Sequence, residues 1–193
     1  MAPVQGDGYY TWLWARSLVF DGDWDLTNDY ELCGDPWRMR TRMGPTEPGM
    51  RPHNPWHPGP GLLWAPFLFV LRHTLPAADD PDPRVAQACH GPLADLSMLG
   101  TVLAGLLTVW LAYRFARRHV APGGAFLGAA AVALATSLPY YATVLPSYNH
   151  APAAFGAALF LERWDGTRGS RRWWRWPLLG ALLGLAMLMR AQN

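Results

Sequence analysis

The first residue of this sequence with a clear capacity for chemistry is Asp7, a lone carboxylate between Gly6 and Gly8. It stands at the mouth of an aromatic-rich segment that begins with Tyr9 and Tyr10. We interpret Asp7 as a candidate catalytic carboxylate. A simpler interpretation is a helix N-cap, in which the carboxylate accepts hydrogen bonds from the free amides of the following helix. The two roles are compatible, so the sequence leaves both open.

Six further polar residues are candidate substrate-binding groups: His53, His57, Tyr148, Asn149, His150 and Arg190. The first two histidines lie in a Pro-rich stretch, and no second pair of ligands follows at the spacing of a zinc site. Substrate contact or turn structure is therefore favoured over metal binding. His150 could equally be a polar residue at a helix start, and Arg190 a snorkelling anchor at a helix end.

The apolar residues that must position these groups are concentrated in the second half of the chain. Residues 96–193 contain four apolar stretches with short polar connections, whereas residues 1–95 are rich in Asp, Pro, Trp and Gly. The pattern predicts an all-α integral membrane protein. Its predicted transmembrane helices lie near 96–116, 125–145, 150–163 and 176–190, and two surface helices of an external loop lie near 8–20 and 62–75.

The distribution of charge predicts the orientation in the membrane. Residues 1–95 hold 12 of the 14 acidic groups, whereas the connections at 114–119 and 162–175 hold eight Arg. Because short basic loops tend to remain cytoplasmic, residues 1–95 are predicted to face outward from what we expect to be a bacterial cell membrane. All seven candidate residues then lie on the outer side, where polar groups at the ends of apolar helices are functional candidates. A net charge of +2 argues against a nucleic-acid partner.

Two further features have alternative interpretations. Asp21, Asp23 and Asp25 resemble the start of a calcium loop, but the expected Gly and Glu are replaced by Leu, so a solvated turn is favoured. No cofactor is therefore expected, although a divalent metal stays open. Cys33 and Cys89 are both predicted to lie outside, either as a disulfide or as two thiols.

Taken together, these motifs resemble those of the GT-C glycosyltransferases, and in particular the protein O-mannosyltransferases. Asp7 stands where that family carries a catalytic acidic residue in its first external loop. The segment His57-Pro58-Gly59-Pro60-Gly61-Leu62 is similar to the family's His-Pro-Pro-Leu-Gly motif. Many relatives carry Asp-Glu where this chain has Asp7-Gly8.

The resemblance implies a partial GT-C fold and transfer of a sugar from a polyprenyl-phosphate donor to an acceptor hydroxyl. Asp7 would take the proton of the acceptor hydroxyl, and Arg190, supported by His150, would hold the departing phosphate. The implied partners are the lipid-linked sugar and the bilayer.

Two alternatives stay open from the sequence alone. Family members begin with a transmembrane helix before the first loop and continue through many more helices, so this chain could be an inactive truncated fragment whose partner is the missing remainder. A transporter or flippase of lipid-linked sugars is less favoured, because the predicted helices carry few polar groups at mid-membrane depth. The sugar and the acceptor are not specified by the sequence.

Overall fold

The computed structural model describes residues 4, 6–39, 54–74, 89 and 91–191. The chain divides into two compact units, Met1–Gly100 and Thr101–Asn193. Within the described residues every regular element is helical and none is a strand, which confirms the all-α prediction. The candidate His53 lies outside the described residues.

The first unit is organised around an enclosed helix. Its helices are α1 (Asp7–Arg16), a π-helical turn (Ser17–Asp21), α2 (Thr27–Cys33), α3 (Gly59–Thr74) and α4 (Pro92–Ser97). Helix α1 packs against α3 and is buried on nearly every side. A helix that is apolar all round is suited to such an interior position. The prediction of a membrane-surface helix over 8–20 is therefore not confirmed, since its rings are covered by protein.

The core of the first unit is built from large side chains. Trp12, Leu13, Trp64 and Leu68 are fully buried, and the indole of Trp12 donates a hydrogen bond to Ser97 Oγ at 3.2 Å. Gly61 lets α3 approach α1 closely, because a Cβ there would lie 3.1 Å from the Ala15 nitrogen. These contacts bring sequence-distant helices around α1.

A disulfide joins Cys33 to Cys89, with the two Cα atoms 5.1 Å apart and a sequence separation of 56. Of the two alternatives for these residues, the structure therefore has the bonded pair. The crosslink ties the end of α2 to the chain just ahead of α4. Such a link stabilises a fold chiefly by restricting the unfolded chain.

The second unit is built from helices with small side chains at their contacts. It contains most of α5 (Leu99–Ala116), then α6 (Pro122–Leu134), a second π-helical turn (Tyr140–Val144), α7 (His150–Gly166) and α8 (Arg175–Met189). The stretch predicted as one helix over 125–145 is divided, because α6 ends at Leu134 and Pro139 cannot supply a helical amide donor.

Helices α7 and α8 form an antiparallel pair with close backbone contact. A Cβ added at Gly156 of α7 would lie 2.9 Å from the Cα of Ala186 in α8. In the same unit, a Cβ at Gly105 of α5 would lie 2.8 Å from the Ala142 side chain. Small residues that allow helices to approach closely are typical of helix contacts in membranes.

One stretch of the described residues, Pro92–Ala116, is helical, long and apolar enough to cross a membrane by length and composition. Pro122–Leu134 and Arg175–Met189 are shorter apolar helices. The prediction of four transmembrane helices is thus confirmed only in part. Several apolar side chains of the second unit are exposed, including Leu106, Leu127 and Leu134.

Candidate functional site

Asp7 is the first residue of α1, and its backbone position differs from that of an N-cap. Gly6 occupies the cap with a φ of 59°, in the left-handed region that favours glycine, and no side chain caps the helix. Asp7 is exposed, and no hydrogen bond or ion pair joins its carboxylate to another described residue. A negative charge in the first helical turn is favourable because of the helix dipole. The carboxylate is therefore open to solvent at the first position of α1.

A cavity of about 560 Å³ lies beside the start of α1. Its lining includes Gly6, Tyr9, Asp35 and Trp37. The Tyr9 hydroxyl donates to the backbone oxygens of Cys33 and Gly34, each at 2.8 Å. Burial raises the pKa of the Tyr9 hydroxyl well above its ordinary range, so this group stays protonated and keeps both bonds. The cavity wall is thus anchored to the loop that carries the disulfide.

An aromatic stack adjoins this cavity and fixes the segment that carries His57. The rings of Tyr10 and Trp56 stack with centroids 4.7 Å apart, and the Tyr10 ring also lies 5.4 Å from Trp37. Asn54 donates to the Tyr10 carbonyl at 2.9 Å, which holds the extended segment against α1. His57 follows directly and is half-buried.

A buried ion pair stabilises the turn after α1. The Arg16 guanidinium donates to Asp29 at 2.6 Å and also binds Asp21. Burial raises the pKa of the Asp29 carboxyl to about 6, against the opposing effect of Arg16. Arg16 thus links the buried Asp29 to the exposed Asp21.

The other carboxylates of this turn bond its own backbone. Asp23 accepts from the Asp25 amide at 2.9 Å, and Asp25 accepts from the Thr27 amide at 3.1 Å. These bonds are those of the solvated turn favoured by the sequence. No group of three potential metal ligands occurs among the residues that the structure describes.

In the second unit, Arg190 and His150 are in direct contact. A guanidinium nitrogen of Arg190 lies 2.9 Å from His150 Nδ1. Because a guanidinium can only donate, Nδ1 must accept, so the ring in this arrangement is neutral with its proton on Nε2. Helix α7 begins at His150 and α8 ends just before Arg190, so the antiparallel packing of the pair brings the two residues together.

Tyrosine rings surround the histidine of this pair. The Tyr141 ring stacks on His150 with centroids 4.0 Å apart, and the Tyr148 ring is nearly parallel to it at 6.4 Å. Tyr141 belongs to the second π-helical turn, an element that is frequent at functional sites. Asn149 caps α7 through its backbone, without a side-chain cap bond. The sequence analysis did not single out Tyr141, although the Tyr140-Tyr141 doublet marked the same helix end.

Beside this cluster lies an apolar crevice of about 160 Å³. The same π-helical turn contributes to its wall through Ala142 and Thr143, opposite Val102 and Leu106 of α5. The crevice adjoins the histidine cluster through Ala142, which follows Tyr141 in the chain, whereas neither Arg190 nor His150 is among its lining residues.

The opposite end of α7 carries an ionic cluster that the sequence analysis missed. Glu162 is only 1 % exposed and binds the guanidinium of Arg118, while Arg114 lies 3.0 Å away. His119 Nε2 lies 3.0 Å from Asp165 Oδ2. In the sequence analysis Arg114 and Arg118 contribute only to the basic loops that predict the orientation in the membrane. Two features of the sequence indicated this cluster. The arginines are spaced about one helical turn apart at the end of α5, and two acidic residues lie within the last turns of α7.

The sequence model of the family described as dolichyl-phosphate-mannose-protein mannosyltransferase matches residues 94–193, just over half of the chain. The chain belongs to this family. No curated protein and no solved structure gives a significant match. The mannosyltransferase family is membrane-integral, of the GT-C type, and implies a lipid-linked sugar donor. Tyr148, Asn149, His150 and Arg190 lie inside the matched region, whereas Asp7 and His57 lie before it.

Proposed function

We propose that this chain transfers a sugar from a polyprenyl-phosphate donor to an acceptor hydroxyl on the outer face of the membrane. The observation that carries the proposal is the contact between Arg190 and His150, which lies within the region matched by the mannosyltransferase family. The proposed orientation is supported by the disulfide of the first unit, since disulfides persist in oxidising compartments.

In the proposed reaction Arg190 binds the phosphate of the donor. A phosphodiester keeps its negative charge throughout the physiological range, and the guanidinium keeps its positive charge and can donate two parallel bonds. As the sugar leaves, a further negative charge develops on the phosphate, which the fixed cation stabilises. His150 supports Arg190 by accepting at Nδ1 and so orients the guanidinium. The apolar crevice beside Tyr141 suits the first isoprene units of the donor.

Asp7 is the proposed base. The acceptor oxygen attacks the anomeric carbon while the bond to the phosphate oxygen breaks, and the acceptor proton passes to the Asp7 carboxylate. An exposed carboxylate with no described partner is available for this role, since no competing bond must be broken first. Tyr148, Asn149, His57 and His53 remain proposed substrate contacts.

The test is transfer of a labelled sugar from polyprenyl-phosphate donors in membranes that contain the full chain. We expect Asp7→Asn to lower kcat by about 100-fold to 10,000-fold, as loss of a general base does. Arg190→Gln should raise the KM for the donor by roughly 10-fold to 100-fold through the lost charge-assisted bond, and it should also lower kcat because the charge that develops on the departing phosphate loses its cation. Glu31→Gln and Arg163→Gln are the matched controls, because both side chains are exposed and neither is a proposed catalytic or substrate-binding group.

Two outcomes would contradict the proposal. Full transfer by Asp7→Asn would remove its assigned role, and the exposure of Asp7 makes a folding defect an unsuitable explanation for any loss. No transfer by the correctly inserted wild-type chain with any polyprenyl-phosphate hexose would overturn the activity itself.

A further inference from the structure

The connection between α7 and α8, with the helix turns on either side, combines arginines with tryptophans. We call residues 164–176 the arginine-tryptophan tip; its members are Trp164, Arg168, Arg171, Arg172, Trp173, Trp174, Arg175 and Trp176. Arg168 lies 4.7 Å from the Trp164 ring centroid, and Arg175 lies at the same distance from Trp176. A third pair, Arg172 and Trp174, is separated by 6.0 Å. These distances are those of cation–π contacts.

The tip exposes indole rings that water solvates poorly. Trp173 is 81 % exposed and Trp176 is 67 % exposed. Tryptophan side chains in soluble proteins are seldom so exposed. They are enriched where a membrane meets water, because the ring is apolar and its N–H stays hydrated. The exposure of these rings therefore indicates a partner that has both an apolar region and a hydrated polar region.

The tip also carries positive charge that the chain does not neutralise. The neighbouring acids Glu162 and Asp165 are buried and bind Arg114, Arg118 and Arg168. Among the described residues, no ion pair joins Arg171, Arg172 or Arg175 to a carboxylate. Three cations thus remain available to an external anion.

The two helices that flank the tip are shorter than the hydrocarbon core of a typical bilayer. Helix α7 has 17 residues and α8 has 15. At about 1.5 Å per residue they span roughly 22–26 Å, less than the ~30 Å of a typical hydrocarbon core. A short hairpin is accommodated when long cationic side chains extend from its end to the headgroups.

We propose that the arginine-tryptophan tip binds the headgroups of anionic phospholipids and so fixes the depth of the α7–α8 hairpin in the bilayer. Phosphate groups meet the arginines while the indoles enter the boundary between headgroups and acyl chains. The anion is a bilayer lipid, since the same surface presents exposed rings that a soluble phosphate could not cover. This role is independent of the proposed sugar transfer and lies at the opposite end of α7 from His150.

The experiment places the full chain in nanodiscs of phosphatidylcholine alone or with about one third phosphatidylglycerol. Hydrogen exchange of the amides at 167–174 and the amount of each lipid retained are measured. We expect protection of these amides and enrichment of phosphatidylglycerol in the mixed discs, both weakened at high salt. Arg171→Gln with Arg172→Gln and Arg175→Gln should weaken lipid binding by about fivefold for each arginine removed.

The matched control replaces the same three arginines with lysine, which keeps the charge and should retain most of the lipid enrichment. Slow exchange at 151–163 in every variant reports that α7 is folded. Equal protection and equal lipid retention in neutral and mixed discs would overturn the proposal. Unchanged phosphatidylglycerol enrichment in the glutamine variant, or protection produced by added RNA but by no lipid, would do the same.

Discussion

The two units of this chain achieve stability by different means. In the first, large rings such as Trp12 and Trp64 fill the core, a buried ion pair joins Arg16 to Asp29, and a disulfide joins two residues 56 positions apart. In the second, helices meet through glycine and alanine, and polar contacts of Glu162 and of His150 with Arg190 lie near the two ends of α7. The first unit thus combines ring packing with a covalent crosslink, whereas the second, whose helices expose apolar side chains, combines close backbone packing with a few strong polar contacts.

The candidate reactive groups follow the same division. Asp7 is exposed, and a cavity lined by aromatic and polar residues lies beside the start of its helix. Arg190 instead contacts His150, in a unit whose described crevice is lined by apolar side chains. Three measurements of stability test whether the two units differ in this way.

Removal of the disulfide should have the largest effect. The double variant Cys33→Ser with Cys89→Ser is expected to destabilise the first unit by about 2–4 kcal/mol, because the unfolded loop regains its freedom. Hydrogen exchange of the α1 and α3 amides measures this loss, with the amides of α7 and α8 in the same sample as reference. Unchanged exchange in α1 would show that ring packing alone holds the unit.

The buried acid of the second unit should come next. Glu162→Gln is expected to destabilise that unit by about 2–3 kcal/mol, since a charged acceptor of two guanidiniums is lost from a site that is 1 % exposed. Unfolding of the full chain in detergent provides the measurement. Arg163→Gln is the control, because Arg163 is exposed and lies 3.5 Å from the same carboxylate. An equal loss of stability in both variants would contradict a specific contribution of the ionic cluster around Glu162.

Two glycine substitutions should have the smallest effects and opposite signs. Gly156→Ala is expected to destabilise the α7–α8 pair by about 1–2 kcal/mol, because the added Cβ meets the Ala186 backbone. Gly180→Ala in α8 has open space and should stabilise the helix by up to about 1 kcal/mol. Thermal unfolding of the two variants in the same detergent compares them directly. The same sign for both would show that α7 and α8 are not in close contact at Gly156.

Local patterns in the sequence predicted much of the secondary structure. The apolar runs indicated an all-α chain, and the described helices confirm that class. The motifs around Asp7 and His57 indicated a GT-C glycosyltransferase, and the family match confirms that relationship. The break between Leu134 and the second π-helical turn was missed, although Thr136, Ser137 and Pro139 lie within it, because apolar residues continue on either side.

Burial was harder to predict than helicity. Helix α1 was expected to lie on a membrane surface because of its Tyr and Trp content, yet Tyr10 and Trp12 are wholly buried. Aromatic residues suit an interior as well as an interface, so their presence alone cannot distinguish the two positions. The packing of α3 against α1 shows that the α1 rings are buried within the protein.

Local patterns in the sequence were enough to predict the helical class and the family of the chain, because those properties depend on neighbouring residues and on motifs. The tertiary structure alone decided the partners: Cys33 with Cys89, Arg190 with His150, and Glu162 with Arg114 and Arg118. These partners are 40 or more residues apart, so their contacts arise only when helices pack, and a side chain's charge or type does not specify which distant residue it will meet.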